Sequence, residues 1–171
     1  MAKKKKEDIT NVMRIISSAG VPFRDYAYDN LLLSAEEVAA ALGREVGRVF
    51  KTLVTVAKSG KYYVFMVPAA AELDLKKAAK AAGEKSVEML PQKKLFPLTG
   101  YVHGGCSPIG MKRQFATFID ASAAEHETIF FSAGKIGRQV EMRLNDLQQV
   151  YPVTVAALCR SAKAEAHGAS S

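Results

Sequence analysis

Two strand-like runs separated by a short turn lie near the middle of the chain, in residues 50–67, which read FKTLVTVAKSGKYYVFMV. Both runs, Phe50 to Ala57 and Lys61 to Val67, are rich in the β-branched and aromatic residues that favour strands. The linker Lys58-Ser59-Gly60 suits a tight turn, because glycine adopts the positive φ that such turns use. We therefore predict a β-hairpin here and expect it at the centre of a sheet.

Helix signals precede this hairpin. Apolar residues at helical spacing follow Ile9 and end at Gly20, which predicts a first helix. Val21 to Tyr28 then alternates like a short strand. Ser34-Ala35-Glu36-Glu37 has the form of a capping box, in which the serine hydroxyl and the second glutamate each bind a free backbone N–H, and Gly43 ends that helix.

The second half of the chain continues this mixture. Asp74 is expected to cap a helix that ends at Gly83, and Asn145 is expected to cap the last helix. Phe115 to Ile119 and Thr128 to Phe131 predict strands. Interspersed helices and strands around a central hairpin predict a mixed α/β domain, with a central mixed β-sheet flanked by helices, rather than a bundle or a sandwich.

The 171 residues fit one domain that needs no disulfide or metal to fold. We place this domain at residues 9–160, and we expect residues 1–8, which are rich in lysine, and residues 161–171, which are small and polar, to be disordered tails. No stretch approaches the roughly 18 apolar residues of a membrane span, and the basic start lacks the apolar segment of a signal peptide. Cys106 and Cys159 lie far apart in sequence and suggest no disulfide framework, which is typical of proteins of reducing compartments, so we expect a cytoplasmic location. Because no apolar span is present, we expect no membrane association.

Lys51 is unusual because it lies in an otherwise apolar run. Strand alternation places it on the face of Leu53 and opposite Phe50. One interpretation is a lysine that extends its ammonium from a strand edge into solvent. The other is a fixed ammonium that binds phosphate or ribose oxygens or stabilises charge on a carbonyl. The residues alone leave both open.

Two glycine-rich segments are candidate ligand loops. Residues 99–110, TGYVHGGCSPIG, are too irregular for a helix or strand and long for a simple connection. Residues 132–138, SAGKIGR, form the second segment, and Lys112 and Arg113 add positive charge beside the first. Glycines let a backbone approach a ligand closely, but tight structural turns explain both segments equally well, since neither matches a known phosphate-binding fingerprint.

The charge of the chain points to an anionic partner. A formal net charge of +7 and a pI near 9.4 favour binding to a phosphate backbone through counterion release. Cys106 has no evident base and orienting group, so a thiol nucleophile is not expected. The three histidines are scattered, and we predict no metal and no cofactor. Any chemistry would then depend on positioning, exclusion of water and backbone electrostatics.

Five short segments carry a resemblance to a known family. In order they are VFKTL at 49–53, LDLKK at 73–77, TGY at 99–101, GGCSPIG at 104–110 and SAGK at 132–135. Their order and spacing resemble the YbaK family over about residues 23–147. The resemblance implies the fold of the YbaK and prolyl-tRNA synthetase editing domains.

The resemblance also implies an activity, which is free-standing trans-editing. Members hydrolyse the ester of mischarged Cys-tRNA(Pro) by a route in which the substrate's own thiolate attacks the ester carbonyl. The implied partners are aminoacyl-tRNA of the tRNA(Pro) type and prolyl-tRNA synthetase. One alternative is an Ala-tRNA(Pro) or broad small-aminoacyl-tRNA deacylase, and an alternative of another class is a non-catalytic tRNA-binding or regulatory module.

The resemblance further implies a set of site residues. Lys51 matches the functional lysine and is expected to be catalytic. Residues expected to bind substrate are Tyr28, Thr52, Gly100, Gly104, Gly105, Ser107, Gly110 and Ser132. Residues expected to contact tRNA phosphates are Lys112, Arg113, Lys135 and Arg138. Cys106 and Gln139 depart from the family pattern, which often has an aliphatic residue and an aspartate at these positions.

Overall fold

The computed structural model describes residues 9–29 and 34–160. The predicted tails therefore lie outside the described residues. The helices are α1 (Asn11–Ser18), α2 (Ala35–Leu42), α3 (Leu75–Ala82), α4 (Leu95–Thr99) and α5 (Leu144–Val150). The strands are β1 (Arg24–Ala27), β2 (Phe50–Ala57), β3 (Tyr62–Pro68), β4 (Val87–Met89), β5 (Ala116–Asp120), β6 (Ile129–Ser132), β7 (Arg138–Met142) and β8 (Val153–Ala156).

A five-stranded mixed sheet forms the centre of the molecule, in the order β4-β2-β3-β5-β8. Strands β2 and β3 are the predicted hairpin and pair antiparallel from Phe50 opposite Pro68 to Val56 opposite Tyr62. Strand β3 pairs in parallel with β5, and β5 pairs in parallel with β8. The mixed α/β prediction is confirmed, and the hairpin supplies the middle strand and its neighbour.

A smaller sheet of three antiparallel strands, in the order β1-β7-β6, lies beside the start of β2. A single parallel bridge from Val49 to Phe130 links the two sheets. Helix α2 packs on the small sheet, where Ala39 and Val38 join Val49 and Phe130 in one apolar cluster. Because burial of this apolar cluster stabilises the fold, it holds α2 over the seam between the two sheets.

Two further apolar clusters cover the two faces of the large sheet. Helix α1 contributes Val12, Met13 and Ile16 to a cluster that reaches Met66 and Phe131. On the other face, helix α3 packs small side chains against the sheet. That second cluster includes Ala78, Ala79, Phe65, Val67 and Leu158. Helices on both faces account for the continuous apolar character of β3, since a strand buried on both faces has no polar side.

The helix ends agree with the sequence signals except at α5. The capping box at Ser34 is present in full, and Gly43 and Gly83 end α2 and α3 in the left-handed conformation. The prediction that Asn145 caps the last helix is wrong, because α5 begins at Leu144. Leu144 and Leu147, three residues apart, both pack on the core, so burial of this pair sets the first turn.

Candidate functional site

A cavity of about 220 Å3 lies where α2, the start of β2, the first glycine-rich segment and the small sheet meet. It brings together residues that are far apart in sequence. Its lining is formed by Ser34, Ala35, Val38, Val49, Phe50, Lys51, Thr52, Leu53, Ala69, Leu95, His103, Gly104, Cys106, Ser132 and Gln139. Concave sites of this kind, with a few convergent polar groups, are typical of small-ligand binding.

The cavity borders an unpaired part of a strand edge. Strand β4 pairs with β2 only from Thr55 to Ala57, and the last bond on that side runs from the Leu90 N–H to the Val54 carbonyl at 3.0 Å. Because backbone groups alternate in direction along a strand, the N–H and C=O of Thr52 face the same side as those of Val54. The cavity therefore has backbone donors and acceptors at its wall as well as side chains.

Lys51 lies on this part of β2, opposite Val67 of β3, and is half-buried. Within the described part of the chain its ammonium forms no hydrogen bond and no salt bridge, although it lines the cavity. A partly desolvated ammonium without a partner interacts strongly with an anion or a polarised carbonyl, since the local dielectric is low. Both interpretations of Lys51 stay predictions, because an ammonium without a protein partner is free to meet either solvent or a ligand.

Two buried oxygen atoms of the lining also lack partners. Thr52 Oγ1 and Gln139 Oε1 form no hydrogen bond with any described residue. Gln139 Nε2 donates to the Tyr28 hydroxyl at 3.2 Å, which orients the amide, and burial raises the pKa of Tyr28. A buried polar atom without a partner is costly, so a bound ligand that donates hydrogen bonds would stabilise these two oxygens. Ser132 lines the same wall, and its Oγ accepts from the Gly134 N–H at 3.0 Å.

The glycine-rich segment 99–110 divides into a cavity wall and a structural part. Gly104 lines the cavity. Gly105 follows it and lies against Ile136, because a Cβ added at Gly105 would be 3.1 Å from the backbone nitrogen of Ile136. Ser107 is buried, and its Oγ accepts from the Ile109 N–H at 3.4 Å. Gly100 ends α4, and Gly110 faces α1. Neither of these two terminal glycines lines the cavity.

The four predicted phosphate contacts have different surroundings. The Lys112 ammonium lies 5.3 Å from the centre of the Phe96 ring, and Arg113 lies over Phe115. Arg138 is held in a salt bridge of 3.4 Å with Asp25. Lys135 is exposed. Lys112 and Lys135 thus present charge at the surface, whereas the guanidinium of Arg138 is occupied within the small sheet.

Cys106 lines the cavity but is a poor nucleophile. Burial raises the pKa of its thiol to about 12, so the thiolate form is scarce at neutral pH. We expect iodoacetamide at pH 8 to alkylate Cys106 at least tenfold more slowly in the folded protein than in denaturant, as measured by mass spectrometry of the Cys106 peptide. Equal rates in the two states would show that the thiol is reactive and would restore it as a candidate nucleophile.

A larger cavity of about 680 Å3 lies at the other end of α2, and its central charges are paired. The Arg48 guanidinium donates to the Thr128 carbonyl at 3.1 Å and lies 3.4 Å from Glu141 Oε2. The Tyr26 hydroxyl donates to the other Glu141 oxygen at 2.6 Å. Since these groups satisfy one another, we place the candidate site in the smaller cavity, where polar groups lack partners.

Sequence reasoning missed part of the lining. The capping box located the start of α2, but no local signal shows that this end of the helix, at Ser34, Ala35 and Val38, closes the cavity. The sequence also contains no pattern that predicts Ala69 and Leu95 as part of the cavity lining. Among the described residues no three His, Cys, Asp or Glu side chains cluster as a metal site, and no helix there could span a membrane.

Comparisons with known proteins point to one family. Residues 30–150 match the family model described as an aminoacyl-tRNA editing domain. The chain is 51% identical over 144 residues to an Enterococcus faecalis protein provisionally named the Cys-tRNA(Pro)/Cys-tRNA(Cys) deacylase EbsC, and the match covers 83% of this chain and 88% of that protein. It is 23% identical over 116 residues to YwhH of Bacillus subtilis, an uncharacterised protein, with 68% and 73% of the two chains covered.

Two solved structures share the fold. One is provisionally described as a trans-editing enzyme for prolyl-tRNA synthetase, with a TM-score of 0.80, 24% identity and coverage of 88% of this chain and 95% of that one. The other is a hypothetical protein, APE2540, with a TM-score of 0.79, 21% identity and coverage of 87% and 99%. At these identities the two structures establish the architecture alone.

Proposed function

The chain belongs to the aminoacyl-tRNA editing-domain family, and on that premise we propose that it is a free-standing deacylase that hydrolyses the ester of Cys-tRNA(Pro). The observation that carries this proposal is the lining of the small cavity, which includes Lys51, whose ammonium forms no hydrogen bond or salt bridge with a described residue, and the unpartnered buried oxygens of Thr52 and Gln139. About 220 Å3 suits a small aminoacyl group. The name of the relative EbsC, which specifies cysteinyl esters, supports the choice of amino acid.

We assign the roles in this site from charge and hydrogen-bonding capacity. The α-ammonium group of the aminoacyl ester carries three donors, which suit Thr52 Oγ1 and Gln139 Oε1. The Lys51 ammonium stabilises the negative charge that develops on the ester carbonyl oxygen during attack. Tyr28 positions the Gln139 amide through the hydrogen bond of 3.2 Å. The backbone groups of Thr52 and Gly104 line the place where the ester would lie.

The proposed chemistry needs no nucleophile from the protein. The substrate thiolate attacks its own ester carbonyl carbon, a carbon–sulfur bond forms, and the carbon–oxygen bond to the terminal ribose breaks. The ribose oxygen leaves with a proton from solvent, and water then opens the cyclic thioester to give free cysteine. Cys106 is the only cysteine of the lining, and the raised pKa of its thiol supports this route over an enzyme thiolate.

The experiment is the release of labelled amino acid from Cys-tRNA(Pro), Ser-tRNA(Pro) and Ala-tRNA(Pro) by the purified protein. We expect cleavage of the cysteinyl ester at least tenfold faster than that of the other two, because serine replaces the thiolate by a far weaker nucleophile and alanine has none. Equal or faster cleavage of Ala-tRNA(Pro) would contradict self-attack and require an activated water. No cleavage of any ester would contradict the deacylase itself.

The tRNA partner and the cellular setting follow from the same proposal. The name of EbsC covers both Cys-tRNA(Pro) and Cys-tRNA(Cys), so we infer that the cavity selects the amino acid rather than the tRNA. A complex with prolyl-tRNA synthetase in the cytoplasm would then supply the identity of tRNA(Pro). Preference for Cys-tRNA(Pro) over Cys-tRNA(Cys) should therefore rise when that synthetase is added, and an unchanged ratio would contradict this step.

A further inference from the structure

An exposed aromatic side chain follows a residue of the cavity lining in sequence. Phe96 of α4 is 56% exposed, and its neighbour in sequence, Leu95, lines the cavity. Ile136, which is 44% exposed, borders the same cavity, where it packs beside the lining residue Gly104. Burial does not explain either position, because each side chain leaves much of its apolar surface in water. Two exposed apolar side chains thus adjoin residues of the lining, and the catalytic proposal uses neither of them.

The segment that contains Phe96 is positively charged. Residues 89–119 contain no aspartate or glutamate, whereas they include Lys93, Lys94, Lys112 and Arg113. Lys93 and Lys94 immediately precede α4, and the Lys112 ammonium lies 5.3 Å from the centre of the Phe96 ring. An exposed aromatic ring accompanied by cations is the combination that binds single-stranded nucleic acid, through base stacking and phosphate contacts.

From this arrangement we propose that Phe96 is a stacking platform for the unpaired 3′-terminal bases of tRNA, with Lys112 beside it to meet the adjoining phosphate. The inference rests on the proposed function, since it explains how an ester at the end of a flexible strand is held at the cavity. An unpaired end that enters a pocket of about 220 Å3 must leave its bases outside, and Phe96 is placed to receive one of them.

The expected loss of RNA affinity in Phe96→Ala follows from the measured free energy of base stacking on aromatic side chains. Removing one such contact weakens binding by roughly 5-fold to 150-fold. The loss should depend on the single-stranded end and not on the double-stranded stem. Phe96→Tyr keeps a ring of nearly the same area, so it should retain binding, whereas Phe96→Ala should not.

The test measures binding without any ester. An uncharged RNA minihelix with the acceptor stem of tRNA(Pro) is prepared with and without its single-stranded CCA end, and each is titrated with the protein. We expect the CCA end to increase affinity in the wild type and in Phe96→Tyr, and Phe96→Ala to lose that increase. Val155→Ala is the matched control, because Val155 is a similarly exposed apolar residue on β8, at the edge of the large sheet farthest from β4.

Each outcome separates this inference from the proposed function. If Phe96→Ala keeps the CCA-dependent affinity, or if the wild type shows none, the platform is overturned even when Cys-tRNA(Pro) is cleaved. If the CCA dependence is present and sensitive to Phe96 while no ester is cleaved, the platform stands and the deacylase proposal fails. Equal melting temperatures of the variants confirm that a change in binding does not come from unfolding.

Discussion

Lys51→Ala is expected to lower kcat/KM for Cys-tRNA(Pro) by about 10² to 10³-fold, because removal of one preorganised donor from a charge-stabilising site has an effect of that size. The ammonium lines the cavity and has no competing partner among the described residues. The free energy of unfolding should change by less than about 1 kcal/mol, since the side chain is half-buried and unpaired. Single-turnover cleavage and thermal melting measure the two quantities.

The controls for Lys51 separate charge from packing. Lys51→Met keeps most of the apolar stem and removes the charge, so it should be as impaired as Lys51→Ala. Lys61→Ala removes an exposed lysine from the other strand run of the same hairpin and should leave both rate and stability unchanged. Wild-type rates in Lys51→Met would show that the ammonium has no part in the reaction.

Gly110→Ala is expected to destabilise the protein by about 2–4 kcal/mol, which corresponds to a fall in melting temperature of roughly 5–15 °C. Gly110 has a φ of +83°, and an added Cβ would lie 2.8 Å from the Tyr101 hydroxyl oxygen. That hydroxyl donates to the Ile109 carbonyl at 2.5 Å. The same Cβ would lie 3.3 Å from Asn11 and from Ile15 of α1. The substitution therefore strains the loop backbone and forces the Tyr101 hydroxyl out of its position against the Ile109 carbonyl.

Gly47→Ala is the matched control for this substitution. A Cβ at Gly47 would meet no heavy atom within 4 Å, and its φ lies outside the left-handed region. Stability should be unchanged or rise by about 0.4–1 kcal/mol, because alanine reduces the entropy of the unfolded chain. If thermal melting gave similar values for Gly110→Ala and the wild type, Gly110 would not fix the position of the loop.

The parts of the fold that the sequence predicted are those with strong local signals. The hairpin of β2 and β3 combines β-branched residues with a glycine turn, and the capping box at Ser34 names the start of α2 directly. Strands β4, β7 and β8 were missed. Strand β4 has only three residues, and β7, which reads RQVEM, begins inside a glycine-rich segment and is rich in polar residues. Pairing with neighbouring strands creates them, and that information is not local.

The residues of the candidate site also divide into those that the sequence predicted correctly and those that it did not. Lys51, Thr52, Gly104 and Ser132 were predicted from the family resemblance, and the structure places all four in the lining of one cavity. Gly110 was predicted for the same reason, but it lies against α1, because a glycine-rich segment carries structural and ligand-facing glycines that look alike in sequence. The sequence could not show that the Thr52 and Gln139 side chains carry buried oxygens without partners, because this depends on neighbours that are distant in sequence.

The cavity lies at the seam between two sheets, and helix α2 covers that seam. Its apolar walls, such as Phe50 and Leu53, belong to the packed interior, whereas its polar positions, Lys51, Thr52, Ser132 and Gln139, lie outside the apolar clusters. Substitutions at the polar positions can change the chemistry of the cavity without repacking the interior, and changes at distant, separately packed sites add nearly independently. Amino-acid preference can therefore diverge between descendants of one ancestral domain while the scaffold stays constant.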